Sequence, residues 1–94
     1  MRIKWLRSAT KNLDEAVSYM AKDDPEAAEK MFWDIWNSVE SLAEHPEKGR
    51  PGRHFRTREL VIRGYPFIVP YRIKGNEAQV IRVFHTSQRL PEKW

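Results

Sequence analysis

Three consecutive segments in the second half of this 94-residue chain have the composition of β-strands, and they restrict the folds that it can adopt. The segments are Arg58–Arg63, Phe67–Ile73 and Ala78–His85. Each is rich in Val, Ile, Phe or Tyr, and Gly, Pro and Asn stand between them, which is typical of hairpins. We therefore predict a meander of three antiparallel strands.

Alternation along the middle segment separates its side chains onto two faces, because successive side chains of a strand point to opposite sides. One face carries Phe67, Val69, Tyr71 and Ile73, and the other carries Ile68, Pro70 and Arg72. Proline has no N–H to donate to a ladder, so we expect the nitrogen of Pro70 to face a sheet edge or a bulge.

Two amphipathic helices are predicted before these strands. Apolar residues recur at helical spacing over Ala9–Ala21, and Ser8 is the expected N-cap. A second helix is predicted from Pro25 to about Glu44, with Asp24 as its cap and proline in its first turn. Because the connection between the two helices is short, we expect them to form an antiparallel hairpin.

The apolar faces of the helices and of the strands need one another for burial. With a further strand predicted at Arg2–Leu6, the order is β-α-α-β-β-β within a single domain, residues 1–94. We therefore predict an α+β fold, in which the helix hairpin packs on one face of a mainly antiparallel, twisted sheet. The tail, Thr86–Trp94, is expected to place Leu90 or Trp94 against the helices.

The charge of the chain is divided unevenly between its halves. Residues 1–47 hold six Lys and Arg against ten Asp and Glu, a net charge of −4, whereas residues 48–94 hold eleven against three, a net charge of +8. The irregular segment Glu47–Thr57 contains four of these cations: Lys48, Arg50, Arg53 and Arg56. This basic half is either a solvated surface or a binding site for nucleic acid or an acidic protein.

Arginines continue along the predicted strands, at Arg58, Arg63, Arg72 and Arg82, with Arg89 beyond them. We expect Arg72 and Arg82 on adjacent strands, where two guanidinium groups repel each other unless an anion lies between them. If Glu59 supplies that anion, the arginines form an internal ion-pair network. Otherwise they form a site for phosphate or for an acidic partner.

Several kinds of site lack a sequence signal. The chain has no Cys, so neither a disulfide nor a thiolate metal site is available, and His45, His54 and His85 lack metal-ligand spacing. There is no glycine-rich phosphate loop and no nucleophile elbow. No membrane-spanning run or signal peptide is visible. We expect a cytoplasmic protein without metal or cofactor.

Four phrases, in this order, resemble the RelE/ParE superfamily of bacterial toxins. They are SATKNLDEAVSYMAKDDPEAAEKM (8–31), LAEHPEKGRPGR (42–53), RELVIRGYPFIVPYRI (58–73) and VIRVFHTSQRLP (80–91). The segment Ile81–His85 most resembles the ParE branch. The resemblance implies the toxin of a type II toxin–antitoxin system, of the kind associated with plasmid stabilisation.

The two branches of the superfamily imply different functions. ParE-like members are described as poisons of DNA gyrase with no enzymatic step, whereas RelE-like members cleave mRNA on the ribosome with Lys, Arg and a C-terminal Tyr. No Tyr follows His85 here, and arginine is a poor general base. The resemblance therefore favours a gyrase inhibitor. Two alternatives remain: an mRNA interferase, with Arg58, Arg82, His85 and Arg89 around the phosphate, and an inactive member that only binds antitoxin.

The resemblance also implies a cognate antitoxin, ParD-like, with a ribbon-helix-helix domain and an acidic C-terminal segment that folds onto the toxin in a hetero-oligomer. Such a segment would set apolar side chains beside the helix hairpin and carboxylates on the basic half. The residues expected to bind the target or the antitoxin are Arg50, Arg53, Arg56, Arg58, Arg63, Arg72, Arg82, His85 and Arg89.

Overall fold

A computed structural model describes all 94 residues of the chain, as two helices and six strands. The helices are α1, Arg7–Ala21, and α2, Pro25–Glu40, which continues into a short 3-10 helix, Ser41–Ala43. The strands are β1, Arg2–Trp5; β2, Arg50–Pro51; β3, Arg58–Ile62; β4, Phe67–Lys74; β5, Glu77–Val80; and β6, Phe84–His85. Neither helix has the length and apolar character needed to cross a membrane.

The six strands form one mixed sheet in the order β1-β5-β4-β3-β2, and β6 pairs with the first half of β4. Every pairing is antiparallel except that of β1 with β5. The predicted α+β fold, with a helix hairpin on a mainly antiparallel sheet, is confirmed. The strand β2 was not predicted, since its two residues lie in a segment dominated by Arg, Gly and Pro.

The last predicted strand is divided in two by a bulge. Residues 81–83 leave the ladder, and β5 and β6 pair with successive parts of β4 on the same side. The N–H of Ile81 donates to the carbonyl of Pro70 at 2.9 Å. Because the nitrogen and carbonyl of one strand residue point to the same neighbour, the nitrogen of Pro70 faces this bulge, as predicted.

The two helix starts differ in how well local sequence defines them. Asp24 caps α2 by accepting a hydrogen bond from the N–H of Ala27 at 3.1 Å, as predicted. The prediction that Ser8 caps α1 is wrong, because the helix begins at Arg7 and its N-cap is Leu6. The hydroxyl of Ser8 instead donates to the carbonyl of Ile81 at 2.7 Å, and so ties α1 to the bulge.

The cap of α2 provides a first test of local stability. We expect Asp24→Ala to lower the free energy of unfolding by about 1 kcal/mol, because the N–H of Ala27 loses its partner. Asp23→Ala, which changes an exposed neighbour that makes no cap bond, is the matched control. Urea denaturation of both variants measures the difference, and equal stabilities would contradict the assigned cap.

The core lies between the helix hairpin and one face of the sheet. Its helical side chains include Leu13, Met31 and Ile35, and its strand side chains include Val69 and Tyr71. The last two belong to the face of the middle strand that was predicted to be apolar. At the end of this core the hydroxyl of Tyr71 donates to the carbonyl of Pro46 at 2.7 Å and accepts the N–H of Gly49 at 2.9 Å.

The opposite face of the sheet is covered by the tail and by the loop between β2 and β3. The ring of Trp94 packs edge-on against Phe84 and His54, with centroids 5.3 and 5.1 Å away. The expectation that Trp94 or Leu90 would pack on the helices is wrong, since Trp94 lies on the other face and Leu90 is exposed. The apolar side chains of Ile68 and Phe84 on that face needed a cover, and the helices do not reach it.

Candidate functional site

Glu59 is the centre of an ion-pair network on the sheet face opposite the helices. Its side chain is 1% exposed, and both of its oxygens accept hydrogen bonds from Arg53 at 2.8 Å. The main-chain N–H of Arg53 adds a bond of 3.0 Å, and Arg50 a bond of 3.3 Å. Burial alone would raise the pKa of Glu59, but these bonds outweigh it and lower the pKa to about 2.

The hypothesis that Glu59 lies between Arg72 and Arg82 is therefore wrong. Strand β2 places Arg50 directly opposite Glu59. The carboxylate therefore pairs with the loop arginines and not with Arg72 or Arg82. The Nε of Arg72 donates instead to the amide oxygen of Gln79 at 2.7 Å. Arg82 lies in the bulge and donates to the main-chain oxygen of Trp94 from Nε at 3.0 Å and from Nη2 at 2.5 Å.

Three arginines from three parts of the chain line one open cavity of about 320 Å³, which we call the arginine pocket. They are Arg56 from the loop, Arg58 from the start of β3 and Arg72 from β4, with Pro51, Thr57 and Ile73 completing the wall. The ion pairs of the protein are Arg50–Glu59, Arg53–Glu59 and Lys30–Asp34. None of the three pocket arginines has a carboxylate partner.

Two further arginines line a cavity beside the tail. Arg82 and Arg89 line a cavity of about 290 Å³ whose wall includes Asn12, Phe84 and Trp94. The Oδ1 of Asn12 accepts a hydrogen bond from the N–H of Val83 at 3.2 Å, so a second residue of α1 contacts the bulge.

His85 lies at the border of this region, half-buried at the end of β6. Its Nδ1 accepts the main-chain N–H of Ser87 at 3.1 Å and lies 2.6 Å from the hydroxyl of the same residue. An N–H can only donate, so Nδ1 carries the lone pair and the neutral ring carries its proton on Nε2. The ring packs edge-on against Phe67, with centroids 5.1 Å apart.

A partly apolar groove of about 490 Å³ lies between α1, the turn between β3 and β4, and residues 83–88. Its floor and walls include Ala16, Met20 and Met31 from the helices and Tyr65 from the turn. The hydroxyl of Tyr65 donates to Asp34 on α2 at 2.7 Å, which fixes the turn over the helices. No sequence motif marked this groove, because its walls come from distant segments.

The predicted site residues thus fall into separate groups. Arg50 and Arg53 hold Glu59; Arg56, Arg58 and Arg72 share the arginine pocket; and Arg82 and Arg89 share the cavity by the tail, next to the groove that His85 lines. Arg63 is exposed just beyond β3 and makes no side-chain hydrogen bond. No group of three or more His, Asp or Glu side chains is placed to hold a metal ion.

Comparison with known proteins identifies the family of this chain. Residues 3–90 match the family described as ParE toxin of type II toxin-antitoxin system, parDE. The chain belongs to the ParE toxin family. The resemblance drawn from the sequence phrases is therefore confirmed, and the protein is a toxin of the type II toxin–antitoxin class.

Individual relatives of this ParE-family toxin agree in sequence and in fold. A protein of Sinorhizobium fredii named "Putative toxin Y4kP" is 44% identical over 91 residues, which cover 97% of this chain and 94% of the relative. Toxin RelE2 of Caulobacter vibrioides is 28% identical over 87 residues, 93% of this chain and 97% of that protein. A solved structure, titled "Chromosomal ParDE TA system from P. aeruginosa", has a TM-score of 0.83 and 33% identity, and the match covers 90% of this chain and 95% of the other.

Proposed function

We propose that this ParE-family toxin inhibits DNA gyrase by binding to it, and that a cognate antitoxin neutralises the toxin. The observation that supports binding over catalysis is the state of His85 and of the arginines around it. A ribonuclease needs a general base and phosphate-binding groups at one point. In this chain Arg82, His85 and Arg89 lie near one another beside the tail, but Arg58 lies apart from them in the arginine pocket.

The lone pair of His85 at Nδ1 points to the N–H of Ser87, and in that tautomer Nε2 carries the ring hydrogen, so the ring presents no lone pair to a bound substrate in this arrangement. Of the other candidates for catalysis, Arg58 lies in the arginine pocket with its guanidinium on main-chain carbonyls. Arg82 and Arg89 line the cavity beside the tail. This separation favours a surface that binds a macromolecule.

An antitoxin segment that is both apolar and acidic fits the surface that remains. The groove exposes apolar walls from α1 and α2 at one end of the molecule. The half of the chain from residue 48 onward supplies a net charge of +8. A ParD-like C-terminal segment would place apolar side chains in the groove and carboxylates on nearby cations, folding as it binds.

Expression of the toxin without antitoxin tests the proposed target in cells. We expect growth arrest with induction of the SOS response, because a poisoned gyrase leaves broken DNA, while transcripts remain intact. Co-expression of the protein encoded by the neighbouring reading frame should restore growth. Codon-phased cleavage of mRNA in the ribosomal A site, without SOS induction, would contradict the proposal and favour the RelE-like alternative.

The mRNA interferase remains the second candidate because of one comparison, the 28% identity with Toxin RelE2. In that case Arg82→Ala should abolish the transcript cleavage, since Arg82 would bind the scissile phosphate. A third outcome, no growth effect with antitoxin binding retained, would identify an inactive member that only binds antitoxin.

A further inference from the structure

We infer that the arginine pocket, together with the neighbouring Phe55, binds the sugar–phosphate backbone of a nucleic acid strand and stacks on one of its bases. The inference goes beyond the proposed function, because it assigns a ligand to one surface and does not depend on the identity of the target. DNA and RNA share the phosphodiester group that this pocket would recognise.

Two of the pocket arginines are held in place without losing their charge. The Nη1 of Arg58 donates to the carbonyl of Gly49 at 2.8 Å and to that of Glu47 at 3.3 Å. The Nε of Arg72 donates to the amide oxygen of Gln79 at 2.7 Å. All of these acceptors are neutral, so neither guanidinium is neutralised. The two groups lie on opposite faces of one sheet edge, because Arg58 is the cross-strand partner of Tyr71 and Arg72 follows Tyr71 on β4. Unused N–H groups of a fixed fork suit a phosphate oxygen.

The third arginine is positioned by an uncommon backbone conformation. Arg56 has φ = 59°, a left-handed value that residues other than glycine seldom adopt and that costs free energy. The tight loop around it enforces this conformation, since the N–H of Gly52 donates to the carbonyl of Thr57 at 2.7 Å, and the Thr57 hydroxyl donates to that of His54 at 2.6 Å. The loop thus directs a cation to the pocket that Arg58 and Arg72 already line.

An exposed aromatic ring beside the pocket favours a nucleic acid over an acidic peptide. Phe55 is 87% exposed, and the guanidinium of Arg56 lies over its ring at 5.2 Å. A large apolar side chain so open to water gains by covering, and a base offers it a flat π-face while the adjacent phosphates meet the arginines. Cationic grooves with exposed aromatic rings are the usual means of binding single strands. An acidic peptide would cover the ring only if it placed an apolar side chain next to its carboxylates, whereas every nucleotide carries a π-face beside its phosphate.

Fluorescence anisotropy with the full-length toxin and a labelled single-stranded DNA oligonucleotide tests the site directly. Arg72→Gln and Arg56→Gly each remove one cation, and glycine also fits the left-handed backbone at position 56. A variant that makes one phosphate contact fewer releases fewer counterions from the nucleic acid when it binds. We therefore expect the plot of log affinity against log salt to be less steep by about 0.7 for either variant. Phe55→Ala should weaken binding about tenfold without changing that slope.

Arg7→Gln is the matched control, because Arg7 is an exposed arginine at the start of α1, outside the pocket. It should leave the affinity and the slope unchanged, and urea denaturation should show that each variant is folded. RNA of the same sequence forms the second arm. Binding of both the DNA and the RNA oligonucleotide supports a site for the phosphodiester group that they share. Binding of only one of them identifies that nucleic acid as the ligand.

Three results would overturn the inference: no binding at low salt, a loss with Arg7→Gln as large as with Arg72→Gln, or tighter binding of a poly-glutamate peptide of equal charge. The third would make this pocket a site for an acidic protein. Gyrase is absent from this assay, so a failure to bind the oligonucleotide does not contradict the proposed target. Conversely, a toxin that does not inhibit supercoiling does not contradict this nucleic acid site.

Discussion

Replacing Glu59 by alanine is expected to lower the free energy of unfolding by about 3 kcal/mol, because Arg53 then loses the carboxylate that three of its N–H groups contact. This value is at the lower end of the range of free energies lost when a buried ion pair is broken. The side chain of Arg53 is 35% exposed, so water replaces part of the interaction. Urea denaturation measures the effect. Glu29→Ala, at an exposed position on α2, is the control and should change little.

The same carboxylate predicts how stability depends on pH. The pKa of Glu59 falls from its ordinary value of 4.5 to about 2 in the folded state. Between these values the unfolded chain binds more protons than the folded one, so the contribution of Glu59 is complete above pH 4.5 and is lost as the pH falls towards 2. The difference in pKa corresponds to about 3 kcal/mol. Glu59→Ala should lack this part of the acid dependence, and parallel curves for wild type and variant would contradict the network.

Gly49→Ala is the second substitution with a large expected effect, about 3 kcal/mol of destabilisation. A Cβ at this position would lie 2.6 Å from Cε1 of Tyr71 and 2.7 Å from its hydroxyl oxygen. That ring is fully buried in the core and cannot move aside. The loop would have to shift, and with it the hydrogen bonds that Gly49 makes to Tyr71 and accepts from Arg58.

Gly64→Ala is the control that distinguishes the steric clash at Gly49 from the effect of replacing any glycine by alanine. A Cβ at Gly64 meets no atom within 4 Å, but the residue has φ = 88°. The control should therefore cost only about 1 kcal/mol, from backbone strain. If the midpoints of urea denaturation for Gly49→Ala and Gly64→Ala coincided, the close packing of the loop on Tyr71 would be wrong. We also expect Gly49→Ala to weaken oligonucleotide binding, because Arg58 loses an anchor.

Features with a local physical cause could be predicted from the sequence. The cap by Asp24 follows from chemistry within four residues, and the hairpins between β3, β4 and β5 follow from turn residues at short separation. The missing N–H of proline alone predicted that the nitrogen of Pro70 faces a sheet edge or a bulge, and it faces the bulge at residues 81–83. In each case a short segment contains all the groups that determine the structure.

Features that depend on distant segments could not be predicted in this way. The parallel pairing of β1 with β5 joins residues more than 70 positions apart, and no local pattern indicates it. The partners of Glu59 depend on the register of β2, a two-residue strand without strand composition. Trp94 packs on Phe84 because the helices leave that face open, which is a property of the assembled sheet.

The same division applies to the candidate site. The sequence identified the arginines, and the uneven charge indicated which half of the chain carries the basic surface. It did not indicate which arginines are neutralised, because that depends on the contact of Arg53 with Glu59 across the sheet edge. Nor did it indicate the role of Arg56, whose left-handed backbone is imposed by the loop that surrounds it.

Supercoiling of relaxed plasmid by purified gyrase, titrated with the purified toxin, tests the central claim most directly. We predict that supercoiling declines as toxin is added, that equimolar antitoxin restores it, and that ribosome-bound mRNA incubated with the same toxin stays intact. Full supercoiling at toxin concentrations that cleave mRNA on ribosomes would contradict the claim that this toxin acts by binding to gyrase.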